Sequence, residues 1–399
     1  MQDLIELLKA YSSDYFLDTI RLRRQIHQYP ELSEHEFVTA RYICNTLKSY
    51  GIQSQLLLND TAVIATIEGH DSTGSVIALR AETDALPIEE KSDKVYVSIN
   101  KGIMHACGHD VHTASLLTTA RILEQCKHVW KGKITLVFQP SEEMYPGGAI
   151  RLIKEGFLKE TDINAMLAFH VSPEIETGKI GIKKGKFMAS TDEIYVTIEG
   201  KAGHAALTQS FVNPINIAAN VLIELDANFK ASAPEEFPSV LTFGRIIGEG
   251  KTNIVPNEVL LEGTLRTFDE EWRKEAHKLI KKTITKIAIE HKGNAKVRIA
   301  NGYPVLYNNE VVTDLCTEYA QRYIGKDNVI PLSYRMTSDD FASFSHEIPT
   351  LMYRLGVKIE GKDLNLHAPD FDINEKALES SPGIMAYMAI NLLNDFKNE

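Results

Sequence analysis

The chain has few cysteines, few tryptophans and no long apolar run. Its four cysteines, Cys44, Cys107, Cys126 and Cys316, form no paired framework of the kind that staples small secreted domains. One of them lies in a histidine-rich motif. The others read as reduced, mostly buried thiols, and a cytoplasmic location is expected. No stretch is apolar for long enough to span a bilayer. The N-terminus lacks a charged start followed by a continuous apolar core, so neither a signal peptide nor a membrane partner is expected. Positive charge is also scarce. A formal net charge of −11 argues against a phosphate backbone, and so against nucleic acid, as partner. Low-complexity segments and internal repeats are missing. What remains is ordinary globular composition, 44 % hydrophobic and 24 % charged, with length for about two or three domains.

Periodicity divides the chain into three textures. Up to about residue 187, helical patterns at 4–8, 13–28, 36–50, 113–125 and 148–155 alternate with short aliphatic runs at 62–68, 75–80, 134–139 and 166–169. That alternation predicts βαβ units and a largely parallel sheet flanked by helices. Residues 179–184 read as a hairpin-like passage. Strict two-residue alternation then appears at 192–199, 240–247 and 258–268, with a last strand at 296–300 and helices at 213–228 and 271–292. This β-α-β-β-α-β order predicts an inserted ferredoxin-like α+β unit. After residue 301 the first texture resumes, with helices at 310–323, 340–344 and 375–394 and a strand at 350–355. The expected domains are therefore 1–187 with 303–399, interrupted by 188–302.

The chemistry gathers at residues 104–112, MHACGHDVH. One thiol and three imidazoles, Cys107, His105, His109 and His112, fall within nine residues beside Asp110. Thiolate and neutral imidazole are ligands that suit a borderline-soft ion such as zinc. Spacing two apart would send Cys107 and His109 to one side of an extended segment. Further candidates follow apolar runs. Glu142 and Glu143 come after 134–139, His170 after 166–169, and His367 stands in LNLHAP. Each is weak alone, because an acidic pair is ordinarily solvated and a lone histidine is ordinarily a satisfied core or edge residue. Their shared placement is what an open α/β sheet does when it gathers a site at its strand ends.

Taken together, MHACGHDVHTA, QPSEE with GGA following, AFHV and LHAPDF resemble the metal-dependent amidohydrolases of the aminoacylase and glutamate-releasing carboxypeptidase superfamily. The similarity is to the branch of indole-acetyl-amino-acid hydrolases, hippurate hydrolases and N-acyl-amino-acid deacylases. It covers nearly the whole chain, from Arg23, His27, Pro30 and Glu31 to His367 and beyond. It implies a zinc-peptidase-like catalytic domain and a lid and dimerisation domain. It implies two divalent ions on Cys107, His109, Glu143, His170 and His367, with zinc expected and manganese, cobalt or nickel as alternatives. Glu142 would be the general base. His204 in GKAGHAA would stabilise the oxyanion from the partner subunit of a homodimer, or of a higher oligomer. Asn253 and Arg266 would hold the substrate carboxylate, whereas an ordinary strand arginine would sit in a salt bridge. Asp84, after the strand at 75–80, matches a residue behind the ligands. Glu82 departs from the Asp usual in relatives, and Leu207–Thr208–Gln209 replace their Pro–His.

The implied substrate is a small N-acyl amino acid carrying an acetyl, benzoyl or aryl-acetyl group. A dipeptidase or aminopeptidase with the same two-metal machinery is the alternative. A non-catalytic metal-bound binding protein would be expected to lose the base or a ligand, and neither is lost. A structural zinc would be closed by four local ligands. A Cys107 nucleophile would leave the distant histidines and acids without a role.

Overall fold

The computed structural model describes residues 2–395, so the outer ends of the expected 1–187 and 303–399 segments, residue 1 and residues 396–399, lie outside the described residues. The chain separates into two compact units. The first comprises the residues up to Gly185, Tyr307–Ser333 and those from Ser343 on.

The first unit is built on an eight-stranded mixed sheet. Its strands run in the order Ser54–Leu57, Ala62–Glu68, Lys133–Gln139, Val76–Glu82, Ala165–Glu176, Thr350–Lys358, Ile180–Ile182, Val329–Pro331. The four central strands, from Lys133–Gln139 to Thr350–Lys358, are mutually parallel. They are buried almost throughout, because helices cover both faces of a parallel sheet; their aliphatic runs therefore do not alternate. The helix His109–Gln125 is buried nearly all round. The C-terminal helix Ala377–Asp395 packs beside it in one continuous apolar core.

Three local expectations change. The helix expected from residue 113 begins at His109. Gly108, at φ +83°, turns the chain into it, and a Cβ there would lie 2.5 Å from Val171 Cγ2. Residues 179–184 make no hairpin. Ile180–Ile182 pairs parallel with Val329–Pro331 and antiparallel with Thr350–Lys358, which satisfies its backbone within the large sheet. The helical run at 13–28 is interrupted at Tyr15, between the helices Gln2–Asp14 and Phe16–Gln28.

The second unit comprises Lys186–Leu306 and Tyr334–Ala342. Its four-stranded antiparallel sheet has the order Val240–Ile247, Glu258–Arg266, Asp192–Glu199, Asn294–Asn301. The helices Pro214–Ser232 and Glu270–Glu290 contribute to its apolar core. Both helices start on side-chain caps. Asn213 accepts from the Ile215 N–H with Pro214 following it, and Asp269 accepts from the Trp272 N–H. Asp192–Glu199 alternates between buried and more open positions, as a sheet covered on one face should. The segment Tyr334–Ala342 joins this unit because the Ala189 N–H donates to the carbonyls of Arg335 and Thr337, at 3.0 and 3.1 Å. Among the described residues no helix is long and apolar enough to cross a membrane, and all four cysteines are free.

A buried ion pair clasps one end of the second unit's sheet. Arg273 Nε and Nη2 donate to the two oxygens of Asp192 at 2.9 and 2.6 Å, and Nη2 also reaches the carbonyls of Thr191 and Gly302. Asp192 begins the first strand and Gly302 follows the last, and these antiparallel neighbours pair Asp192 with Asn301, so one guanidinium holds both chain segments where they meet at one end of the sheet. Burial would raise the Asp192 carboxyl, but the hydrogen bonds from Arg273 and His277 outweigh it and hold the group at about 2. Arg273→Ala is expected to destabilise the chain by about 3–5 kcal/mol, because it strands a buried charge. Urea unfolding of the variant checks this, and a loss below about 1 kcal/mol, typical of an exposed pair, would contradict it. Because the Asp192 pKa is depressed, the pair's contribution is present above the unfolded value of about 4. It should fade as pH falls toward about 2, and the variant should lack that component of acid sensitivity.

Candidate metal centre

Each sequence-derived donor is delivered by a different segment of the first unit. Cys107 lies in the loop that precedes Gly108, and His109 is the first residue of the helix after it. Cys107 and His109 do present their donors to one place, but from a loop and a helix start joined by the turn at Gly108 instead of from an extended segment. Glu142 and Glu143 follow the strand Lys133–Gln139. His170 lies inside the strand Ala165–Glu176, which runs on beyond the expected end at residue 169. His367 comes from the loop after Thr350–Lys358. Its backbone N–H donates to the Ala106 carbonyl at 2.8 Å, which fixes this loop beside Cys107. The site thus forms along the carboxyl side of the parallel strands.

These donors converge. Cys107 Sγ is 3.3 Å from His170 Nε2 and 3.3 Å from His367 Nε2. Glu143 Oε1 is 3.2 Å from His367 Nε2, and His109 Nε2 is 3.9 Å from Glu142 Oε2 and 4.0 Å from Glu143 Oε1. Donor atoms of Cys107, His109 and His170 lie within 4.8 Å of one another, as do those of Cys107, Glu143 and His367 and those of His109, Glu142 and Glu143. Cys107, His109, Glu142 and His170 are buried, which reverses the ordinary solvated reading of an acidic pair. His367 remains half open to solvent.

The far ring nitrogens set the tautomers. His109 Nδ1 is 2.9 Å from the Asp84 carbonyl and 3.2 Å from its carboxylate. His170 Nδ1 is 2.8 Å from the Val171 carbonyl. Each Nδ1 therefore carries a proton to donate, and each Nε2 presents a lone pair inward. Among the described residues His109 Nε2 and Glu143 Oε1 are buried without a hydrogen-bond partner. Burial, then the negative charges of Glu143 and Glu142, push the Cys107 thiol well above its ordinary range. Unpartnered atoms on imidazole and carboxylate, with acids and two further imidazoles crowding the Cys107 thiol, are a donor set that a divalent cation fits.

His112, from the same motif, faces elsewhere. Its Nδ1 is 2.7 Å from Glu82 Oε2, and its Nε2 accepts the Val171 N–H at 3.0 Å. Both nitrogens are engaged. Glu82, the departure from the relatives' Asp, also takes the buried Arg80 guanidinium, so it supports His112 and not a converging donor. Asp84 fills the supporting place behind His109. His105 is pushed down to about 3 by burial and stays neutral.

The sequence reading gave no role to what lies behind the motif. Arg23 Nε donates to Asp110 Oδ2 at 2.7 Å, and His27 Nδ1 lies 2.9 Å from the same oxygen. Arg23 and His27 are fully buried on the helix Phe16–Gln28. Their i,i+4 spacing beside the apolar Leu22 and Ile26 is the signal available in the sequence.

The remaining candidates belong to the second unit. His204, exposed on the short strand Gly203–His204, pairs with Ile254, and the Ala205 N–H donates to the Asn253 carbonyl at 3.0 Å. His204 and Asn253 are thus neighbours. Arg266 ends the strand Glu258–Arg266, and its Nη1 donates to Ser338 Oγ at 3.1 Å. Among the described residues no carboxylate lies within ion-pair distance of it, which removes the salt-bridge reading.

Known proteins resemble this chain over most of its length. The profile of peptidase family M20/M25/M40 matches residues 78–391. The N-acetyl-L-cysteine deacetylase of Bacillus subtilis is 39 % identical over 97 % of this chain and 92 % of its own. The N-acyl-L-amino acid amidohydrolase of Geobacillus stearothermophilus is 36 % identical over 76 % of this chain and 82 % of its own. A solved Bacillus subtilis structure, described as a dinuclear metal binding peptidase of the M20 family, superposes with a TM-score of 0.82. It is 30 % identical, over 95 % of this chain and 99 % of that one. The chain belongs to the M20/M25/M40 peptidase family and is a hydrolase acting on amide bonds.

Proposed function

We propose that this chain hydrolyses the amide bond of N-acyl amino acids, with two divalent ions on Cys107, His109, Glu143, His170 and His367 and with Glu142 as general base. The observation that carries the reading is the convergence of five donor side chains, with the Glu142 carboxylate beside them. Five donors exceed what one tetrahedral ion takes from a protein with a position left open. The solved relative described as dinuclear supports the count. The thiolate favours zinc; manganese, cobalt or nickel are the alternatives. When bound, the ions polarise the scissile carbonyl and make water acidic enough to attack at neutral pH.

The rest is work for the chain's own side chains. Glu142 takes the proton of the attacking water and passes it to the leaving amine. His204 donates to the developing oxyanion. The Ala206 N–H donates to His204 Nδ1 at 3.2 Å, so the ring proton sits on Nε2, the end free to donate. Asn253 and the planar fork of Arg266 hold the substrate carboxylate. The deacetylase and amidohydrolase relatives support an acyl group on one side of the amide and an amino acid on the other. The peptidase description of the solved relative favours a second reading, a dipeptidase with the same centre.

We assign the second unit, which differs from the expected 188–302 in taking in Lys186–Leu306 and Tyr334–Ala342, as the lid and dimerisation domain of a cytoplasmic homodimer, and the first unit as the catalytic domain. The second unit's sheet ends on the strands Val240–Ile247 and Asn294–Asn301, and an unpaired edge invites a second copy. His204 of each subunit acts at the metal centre of the other.

Apo protein reloaded with each metal and offered N-acetyl, N-benzoyl and indole-acetyl amino acids beside dipeptides tests the reaction. Turnover of acyl amino acids at two bound ions per chain is expected. Saturation at one ion would remove the dinuclear site, and turnover of dipeptides alone would select the second reading. Glu142→Gln is expected to keep both ions and lose about a hundredfold to ten-thousandfold in kcat, the usual contribution of a general base. Glu143→Gln should instead weaken metal binding, and the reverse pattern would exchange their roles. Mixing inactive His204→Ala chains with inactive Glu142→Gln chains should restore activity. A mixed dimer with His204 acting in trans has one site with both defects and one with neither. Continued inactivity, with mixed dimers shown by mass, would place His204 in cis.

A further inference from the structure

The residue before the two acids adopts an unusual backbone. Ser141 has φ +59°, in the left-handed region that few non-glycine residues occupy. Four contacts hold the turn. The Glu36 carboxyl accepts the Ser141 N–H at 2.7 Å and the hydroxyl at 3.4 Å. The Glu34 N–H donates to Ser141 Oγ at 2.9 Å, and the Gly148 N–H donates to the Ser141 carbonyl at 3.1 Å. Gly148 comes so close that a Cβ on it would lie 1.9 Å from the Pro140 carbonyl oxygen. Two residues on, the Glu143 N–H donates to Asp84 Oδ2 at 2.9 Å. The segment 141–143 is therefore pinned at both ends, and Glu142 is the residue between the pins.

Glu36 stands where it could serve its own helix, and it does not. It occupies the cap position of Phe37–Ser49 without a side-chain cap bond. Glu31 supplies the caps, accepting from the N–H groups of Val38 and Thr39 at 3.1 and 2.7 Å. Glu36 is fully buried, and among the described residues its second oxygen has no hydrogen-bond partner. Burying a carboxyl to hold one serine is costly, so an architectural need alone explains it poorly. Burial, then the charge of Asp84, push Glu36 up to about 8, which keeps it a neutral acid that accepts through one oxygen.

We propose that Glu36 is a positioning residue, which fixes Ser141 and thereby the direction from which the Glu142 carboxylate meets the reacting amide. The inference rests on Glu142 being the base. A neutral acid and an amide share shape and acceptor, so glutamine serves in its place, whereas alanine and aspartate withdraw the acceptor from Ser141.

The test measures kcat, KM and bound metal for Glu36→Gln, Glu36→Ala, Glu142→Gln and the double variant Glu36→Ala with Glu142→Gln. Glu36→Gln is expected to keep kcat near wild type. Glu36→Ala should lower kcat on the order of a hundredfold, as a misplacement of about 1 Å does, with KM and metal content unchanged. In the Glu142→Gln background Glu36→Ala should cost nothing more, because the group it positions is already gone. Where Glu36→Ala does not fold, Glu36→Asp gives the same expected loss. Wild-type kcat in Glu36→Ala or, where that variant does not fold, in Glu36→Asp, a loss in Glu36→Gln as large as in Glu36→Ala, a further loss in the double variant, or loss of metal would each overturn the proposal. Full activity in Glu142→Gln alone would overturn the base assignment and the proposal with it. An inactive Glu142→Gln beside a normal Glu36→Ala would overturn the proposal only.

Discussion

The centre depends on one buried carboxylate, Asp84. Its Oδ2 accepts from Ser33 Oγ at 2.7 Å and from the Glu143 N–H at 2.9 Å, while Oδ1 lies 3.2 Å from His109 Nδ1. Three segments that are distant in sequence meet on one side chain. They are the loop at residue 33, the helix start at 109 and the acidic turn at 143. A charge with no exposed surface is tolerable only with such partners. In return, every partner is held in one orientation. The inward lone pair of His109 and the backbone of Glu143 are thus set by the same group, and a shift of either would disturb the other.

Electrostatics divides the buried polar residues into two sets. Behind the donors, charges are matched. Arg80 and Glu82 serve His112, and Arg23 with His27 serves Asp110. Around the donors they are not matched. Cys107, Glu142 and Glu143 crowd together beside the ring nitrogens of His109 and His367. Such an arrangement raises the free energy of the folded chain unless a cation joins it. The matched set keeps the unmatched one from relaxing, because the turns carrying Cys107 and His109 are tied to packed helices through Asp110 and to the central sheet through His112.

Much of this was legible in the sequence, and the failures have physical causes. Alternating texture located the parallel core and the antiparallel unit, since solvent exposure on one face imprints period two. The motif around Cys107 and the placement of Glu142, Glu143, His170 and His367 after apolar runs carried the donor set. The segment Tyr334–Ala342 was illegible as part of the second unit, because it is held there by backbone carbonyls accepting from Ala189; carbonyls leave no mark on residue type. Ile180–Ile182 looked like a hairpin because a three-residue strand has no period to read. The clasp of Asp192 by Arg273 spans 81 residues, and a charged residue opening an alternating strand looks like any exposed one. Glu36 was hidden for the same reason, since an acid at a helix start reads as a cap.

Neighbouring carboxylates can hold different roles only if the backbone separates them. Successive residues on a strand point to opposite faces, which would send one acid of the pair into the core. Glu142 and Glu143 escape this because the strand ends at Gln139 and Ser141 turns the chain through a left-handed conformation. Both carboxylates then come within 4.0 Å of His109 Nε2. The two still differ. Glu143 has its amide on Asp84 and its Oε1 against His367 Nε2 at 3.2 Å. Glu142 Oε2 lies 3.9 Å from His109 Nε2. In the proposed reaction Glu143 gives its lone pair to a cation and Glu142 takes a proton. The local turn, more than the identity of the two residues, makes that division possible.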